Sequence, residues 1–106
     1  MKYNGYEVRF IMDRYEAGGN LYVGLEYYDK EFCCYCPYGN ITVNLYPLGD
    51  RFLGAIDINN MGTDILKFIE DIGLAKNTGQ VVQSGFCVYP IYKFSERKLM
   101  ELCSWK

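Results

Sequence analysis

Hydrophobic and polar residues alternate along four segments of the N-terminal part of the chain, which is the pattern of half-buried β-strands. The segments are Tyr6–Tyr15, Leu21–Tyr28, Ile41–Tyr46 and Phe52–Ile58. Between the first two, Ala17-Gly18-Gly19-Asn20 is rich in residues that tolerate positive φ, and it predicts a turn. We therefore expect the first two segments to form an antiparallel hairpin.

The segment Glu31–Cys36 indicates a third short strand or a bulged continuation of the second. Pro37-Tyr38-Gly39-Asn40 then predicts a turn, because proline and glycine mark chain reversals. Pro47-Leu48-Gly49-Asp50 predicts another turn, at the end of the Ile41–Tyr46 strand.

Ser84–Phe94 is almost free of charge and apolar at both sets of alternate positions. Successive side chains of a strand point to opposite faces, so this pattern predicts a strand that is covered on both sides. The preceding residues, Leu74–Gln83, contain Asn77-Thr78-Gly79 and predict a loop.

Apolar residues recur at helical spacing from Met61 to Ile72, and Gly73 is a suitable stop. Ser95 predicts the cap of a short final helix, Glu96–Cys103. Strands followed by helices favour an α+β fold. We expect an antiparallel sheet of about five strands, with one main helix packed on one face and a short C-terminal helix, in a single domain of residues 1–106.

Composition and charge reduce the number of function classes that fit the chain. The net charge is −2 and charges of both signs are mixed, which disfavours direct binding to nucleic acid. The N-terminus lacks the apolar core of a signal peptide, and no segment is long enough to span a membrane. We therefore expect a soluble, cytoplasmic protein whose five cysteines are reduced thiols.

Candidate chemistry is sparse. The chain has no histidine, which removes the commonest general base and the Ser-His and Cys-His dyads. Asp57 with Asp64 or Glu70 could form a carboxylate pair, but a solvated helix face explains these residues more simply. No nucleotide-binding fingerprint is present. The sequence predicts a protein that is not an enzyme and needs no cofactor.

Cysteines raise a separate alternative. Cys33 and Cys36 form a Cys-x-x-Cys pair that Cys87 and Cys103 could complete as a four-thiolate zinc site. A strand would point Cys33 and Cys36 to opposite faces, however, and buried cysteines often act as small hydrophobes. We expect no metal.

Tyrosine is the strongest remaining signal, with 11 residues in the chain. Tyrosine is enriched both at protein interfaces and on solvent-facing strands, so a binding surface and an ordinary strand face are both open interpretations. A homodimer that buries a tyrosine-rich strand face is a further alternative. The residues predicted to bind a protein partner are Tyr22, Glu26, Tyr28, Tyr35, Tyr38 and Tyr46.

Several segments carry a family resemblance. They are Asn20-Leu21, Thr42–Leu45, Ala55–Ile72, Thr78-Gly79 and Ser84-Gly85-Phe86-Cys87-Val88-Tyr89-Pro90. In these segments the chain resembles a family of small proteins of unknown function that are carried on integrative and conjugative elements of Gram-positive bacteria. The cysteine-rich segment Phe32–Cys36 departs from that family's pattern.

The resemblance implies a role on a mobile element. The family has no assigned enzymatic activity, so the resemblance supplies no catalytic residues. Small proteins of such elements often protect incoming DNA from host defences, and some similar ones are anti-CRISPR proteins that act on Cas9. The leading expectation is therefore a counter-defence inhibitor that binds a Cas9-type effector. The alternative is an accessory protein-binding module of the element, acting in transfer or regulation.

Overall fold

The computed structural model describes residues 1–105 and contains nine strands and three helices within them. In chain order the elements are β1 (Lys2–Tyr3), β2 (Tyr6–Arg14), β3 (Leu21–Asp29), β4 (Cys34–Asn40), β5 (Thr42–Val43), β6 (Leu53–Ile56), α1 (Ile58–Met61), α2 (Asp64–Asp71), β7 (Ala75–Ser84), β8 (Cys87–Phe94), α3 (Glu96–Leu102) and β9 (Cys103–Trp105). The fold is α+β, as predicted, and most strand pairs are antiparallel.

The strands form two sheets rather than the single sheet predicted. The first sheet has the order β1-β2-β3-β4, and β9 adds to β2 as its one parallel neighbour. The second sheet has the order β5-β6-β8-β7. The chain passes from one sheet to the other at Ile41, whose N–H donates to the Val23 carbonyl at 2.8 Å.

The main core lies between the sheets and α2. The predicted hairpin of β2 and β3 is confirmed, and the apolar residues that alternate along its two strands are buried or half-buried: Val8, Phe10, Met12, Leu21, Val23, Leu25 and Tyr27. Ile65 and Ile69 of α2 complete the core, together with Tyr92 and Phe94 of β8. Burial of this apolar surface is the main force that stabilises the fold.

The helical region is divided, which corrects the prediction of one main helix over Met61–Ile72. Gly62 lies at the end of α1 with φ of 79°, a left-handed conformation that glycine adopts without strain. This residue separates α1 from α2. The prediction for the C-terminal helix is confirmed, because the Ser95 hydroxyl caps α3 by accepting from the Lys98 N–H.

Two predicted turns or loops are strands. Residues 74–83 were predicted to be a loop, but Ala75–Ser84 forms β7, which pairs with β8 and carries a bulge between Asn77 and Val81. Pro37-Tyr38-Gly39-Asn40, predicted as a turn, is the second half of β4. Both strands lie at sheet edges, where polar residues, proline and bulges are tolerated.

The strand predicted over Ser84–Phe94 is only partly covered. Tyr92 and Phe94 face the main core, and Ile91 belongs to a smaller cluster on the other face of the second sheet. Phe86 and Val88 are exposed, however, because the β7–β8 hairpin extends beyond the elements that cover its base. Among residues 1–105, no helix is both long and apolar enough to cross a membrane.

Candidate protein-binding surface

The register of the first sheet brings four of the six predicted binding residues onto one face. Alternation along β3 places Tyr22, Glu26 and Tyr28 on the side away from the core. Tyr35 of β4 lies directly opposite Tyr28 and joins them. We call this side of the first sheet the outer face, and we define it by Arg9, Ile11, Tyr22, Glu26, Tyr28 and Tyr35.

Arg9 organises one half of the outer face. Its Nε donates to Glu26 Oε1 at 2.8 Å, directly across the β2–β3 ladder. Its guanidinium carbon also lies 4.0 Å from the ring centre of Tyr35, a cation–π contact. Tyr28 and Tyr35 meet edge to face with ring centres 5.3 Å apart. Several contacts therefore fix these four side chains before any partner arrives.

Tyr22 organises the other half. Its hydroxyl donates to Asn40 Oδ1 at 2.7 Å, and its ring meets that of Tyr15 edge to face at 5.5 Å. The side chain lies across Gly24, where an added Cβ would come within 2.3 Å of the Tyr22 hydroxyl oxygen. Burial raises the pKa of Tyr22, and the neighbouring Tyr15 adds to the effect. Tyr22 is therefore a neutral hydrogen-bonding group at neutral pH.

The outer face differs from the core face in exposure. Its side chains are half-buried or exposed, and the Arg9 side chain is 51% exposed whereas that of Glu26 is 19% exposed. The core-facing residues of the same strands, such as Phe10 and Leu25, are almost fully buried. The outer face thus presents aromatic rings and a guanidinium to the outside on a rigid sheet.

Tyr38 and Tyr46 do not join the outer face. Tyr38 lies on the core side of β4, next to the bulge in its pairing with β3, and its ring contacts Tyr3, Tyr6 and Tyr27. Tyr46 lies after β5, outside the first sheet, and its carbonyl accepts from Asn20 Nδ2 at 2.8 Å. Four of the six residues predicted to bind a partner therefore share the outer face, and Tyr38 and Tyr46 lie elsewhere.

Arg9 and Ile11 are members of the outer face that the sequence prediction missed. Both come from β2, whose two-residue period in the structure places them on the side opposite Val8, Phe10 and Met12. The missing information was the hairpin register, which sets Arg9 opposite Glu26 and Ile11 opposite Gly24.

A second exposed surface lies at the end of the β7–β8 hairpin. Phe86 is fully exposed at the turn, and Val81 and Val88 are 61% and 48% exposed on one face of the hairpin. The chain has no charged residue from Asn77 to Tyr92. This hairpin tip is an exposed apolar strand segment without charge, and it competes with the outer face as a contact surface.

Cysteines do not assemble into the four-thiolate alternative. Cys33 precedes β4, Cys87 begins β8 in the second sheet, and Cys103 is buried at the start of β9. Over residues 1–105, no three histidine, cysteine, aspartate or glutamate side chains gather in an arrangement that could hold a metal ion. Burial raises the pKa of Cys103 to about 12, so this thiol stays protonated as a core residue.

Comparison with known proteins places the chain by sequence. A family model described as a domain of unknown function, DUF4313, matches residues 10–106. The chain belongs to the DUF4313 family. The matched region includes the second half of β2 and every strand and helix that follows it. Comparison of this DUF4313 protein with curated proteins and with solved structures gave no match.

Proposed function

We propose that this DUF4313 protein is a non-enzymatic binding protein that acts stoichiometrically through its outer face. The observation that carries the proposal is the fixed cluster of Arg9, Glu26, Tyr28 and Tyr35 on an exposed sheet face. Tyrosine and arginine are the residues that most often dominate binding energy at protein interfaces. Side chains that are already held in place lose less conformational entropy when a partner binds.

Charge favours a protein as the partner. The Arg9 guanidinium is paired with the Glu26 carboxylate, so the centre of the outer face carries little net charge. Nucleic acid binding rests on clustered lysine and arginine side chains that neutralise phosphates. A neutral, aromatic surface is better suited to a protein surface with its own aromatic and polar groups.

The identity of the partner is a second part of the proposal. The resemblance to proteins of integrative and conjugative elements supports a counter-defence protein that acts in the bacterial cytoplasm. Its target would be a Cas9-type effector, and binding would block a protein surface or lock one conformation rather than imitate DNA. An accessory role in transfer or regulation of the mobile element would use the same outer face with a different partner.

A DNA-cleavage assay tests whether the partner is a Cas9-type effector. Purified Cas9 effectors are mixed with the protein before or after guide loading, and cutting of target DNA is measured. We expect stoichiometric inhibition, and its dependence on the order of addition identifies the form of the effector that is bound. Normal cleavage with every effector tested would reject the Cas9 target and favour the accessory role.

Matched variants test the surface in the same assay. Arg9→Ala combined with Tyr35→Ala removes the centre of the outer face. Tyr46→Ala removes an exposed tyrosine that lies outside the first sheet. We expect the double variant to lose inhibition and Tyr46→Ala to keep it. Equal inhibition by both variants would show that the outer face is not the contact surface.

A further inference from the structure

Two cysteine thiols lie side by side on the edge strand β4. Cys34 and Cys36 are two residues apart on one strand, so their side chains project from the same side of the sheet. Cys34 is exposed, Cys36 is half-buried, and both are free thiols. The pair faces the opposite side of β4 from Tyr35, so it is separate from the outer face.

The backbone fixes the pair in place. Cys34 lies opposite Asp29 and Cys36 opposite Tyr27 in the β3–β4 ladder. The preceding turn is held by Asp29 Oδ1, which accepts from the N–H groups of Glu31 and Phe32 at 2.9 and 3.3 Å. Cys33 has φ of 54°, and its thiol is directed back to the Lys30 carbonyl at 3.5 Å. Cys33 is therefore turned away from the pair.

An acidic side chain lies on the same side of the sheet as the pair. Asp29 is directly opposite Cys34 in the β3–β4 ladder, so its carboxylate projects from the side that carries the two cysteines. A carboxylate in this position favours a bound cation. Cys34 is exposed and Cys36 is partly exposed, and β4 is an edge strand that pairs with β3 alone.

We propose that Cys34 and Cys36 form a two-thiolate site for a soft monovalent metal ion, and that this ion is Cu(I). Thiolate sulfur selects soft ions such as Cu(I). A structural zinc site needs four ligands, and over residues 1–105 the structure gathers no group of three. When Cu(I) binds, two S–H bonds break, two Cu–S bonds form and two protons leave to solvent. The oxidation state of copper and sulfur does not change.

Metal chelation suits this geometry better than a disulfide between the same residues. Two strand residues separated by one neighbour have Cα atoms roughly 6.7 Å apart, from a rise of about 3.3 Å per residue. That spacing is at the upper limit of what a disulfide tolerates. A metal ion between the two sulfurs bridges the gap without bending β4.

The test is an anaerobic titration of the reduced full chain with Cu(I) against a chromophoric Cu(I) chelator. We expect one tightly bound equivalent for the wild type. Cys34→Ser and Cys36→Ser should each weaken binding by roughly two orders of magnitude, the size expected when a bidentate ligand becomes monodentate. Cys33→Ser and Cys87→Ser are matched controls and should bind as the wild type does. Circular dichroism checks that each variant folds.

Three results would overturn the proposal: no tight binding by the folded wild type, full binding by the Cys34→Ser and Cys36→Ser variants, or equal loss in the Cys33→Ser control. Zn²⁺ binding as tight as Cu(I) in the same competition format would overturn the assignment to a soft monovalent ion. The variants also separate this site from the proposed function, since Cys34→Ser should still bind a protein partner through the outer face.

Discussion

Gly24 shows how one residue shapes the outer face. The Tyr22 ring lies over the bare backbone of Gly24, and an added Cβ would meet the Tyr22 hydroxyl oxygen at 2.3 Å and the Ile11 side chain at 3.1 Å. A side chain at position 24 would require Tyr22 to shift from the position in which its hydroxyl donates to Asn40 Oδ1. The glycine is therefore required by its neighbour, because its own φ is not positive.

We predict that Gly24→Ala lowers the free energy of unfolding by about 1–3 kcal/mol, as overpacking does. Urea unfolding measures the change. A double-mutant cycle supplies the control: in a Tyr22→Ala background the same substitution should cost clearly less. Equal cost in both backgrounds would contradict the proposed clash.

Tyr92 is a second residue with a defined role. It is 1% exposed, and its hydroxyl donates to Glu70 Oε2 at 2.7 Å. Burial, together with this hydrogen bond, raises the pKa of Tyr92 to about 12. The unfolded chain has a tyrosine pKa of about 10. The stability that neutral Tyr92 contributes is therefore complete below pH 10 and is lost as the pH rises through about 12.

We predict that Tyr92→Phe lowers the free energy of unfolding by about 1 kcal/mol at pH 7, because the hydrogen bond to Glu70 is lost. Between about pH 10 and 11, wild type should lose stability faster than Tyr92→Phe, so the difference between them should shrink. Tyr46→Phe, at an exposed tyrosine, should leave stability at pH 7 unchanged. A constant difference across this pH range would contradict the account.

At the scale of elements, local sequence signals decided some structures and pairing decided others. The β2–β3 hairpin and α3 were predictable because their alternation and capping signals lie within the element itself. β7 was not, because its Asn77-Thr78-Gly79 run is typical of a loop and becomes part of a strand only by pairing with β8. The break between α1 and α2 rests on the backbone of Gly62, which helical periodicity does not register.

The residues of the candidate surface also divide into those that a local pattern predicts and those that depend on strand pairing. Tyr22, Glu26 and Tyr28 were predictable as one group because they share a strand and a parity. The segment of Tyr38 was predicted to be a turn, and that pattern did not indicate which side of the sheet Tyr38 would face. In the structure Tyr38 lies on the core side of β4. Arg9 joins the surface only through the β2–β3 register, which alternation alone does not specify.

The cap of α3 provides a test at this scale. Ser95 Oγ accepts from the Lys98 N–H at 3.3 Å, so Ser95→Ala removes a bond to one of the free N–H groups of the first turn. We predict a loss of about 1 kcal/mol in the free energy of unfolding. Ser104→Ala, at an exposed position of β9, should change it by less than about 0.5 kcal/mol. Equal effects on thermal or urea unfolding would contradict the capping role.

At the scale of the whole molecule, the junction between the two sheets is the feature that the sequence did not reveal. Thr42 is 1% exposed, and its Oγ1 accepts from the Val23 N–H at 3.0 Å. A backbone bond from the Ile41 N–H to the Val23 carbonyl holds the residue between β4 and β5 against β3. Alternation predicts a strand over this region but cannot say that the strand leaves one sheet for another.

We predict that Thr42→Val lowers the free energy of unfolding by about 1–3 kcal/mol, because the shape is kept while the buried Val23 N–H loses its acceptor. Thr63→Val is the matched control, since the Thr63 side chain makes no capping bond and is exposed. It should be close to neutral. Similar stability of both variants in urea unfolding would show that the Thr42 bond does not tie the sheets together.

The central claim is that the outer face binds a protein partner. The most direct measurement is quantitative affinity capture from bacterial lysate, followed by a binding isotherm with the purified protein that is recovered. The baits are wild type, Arg9→Ala/Tyr35→Ala, Tyr46→Ala and Phe86→Ser. We predict that only the double variant loses the partner, with affinity reduced at least about 30-fold, the effect of a hot spot worth about 2 kcal/mol. Unchanged affinity of the folded double variant, with binding lost in Phe86→Ser, would contradict the claim and assign recognition to the hairpin tip.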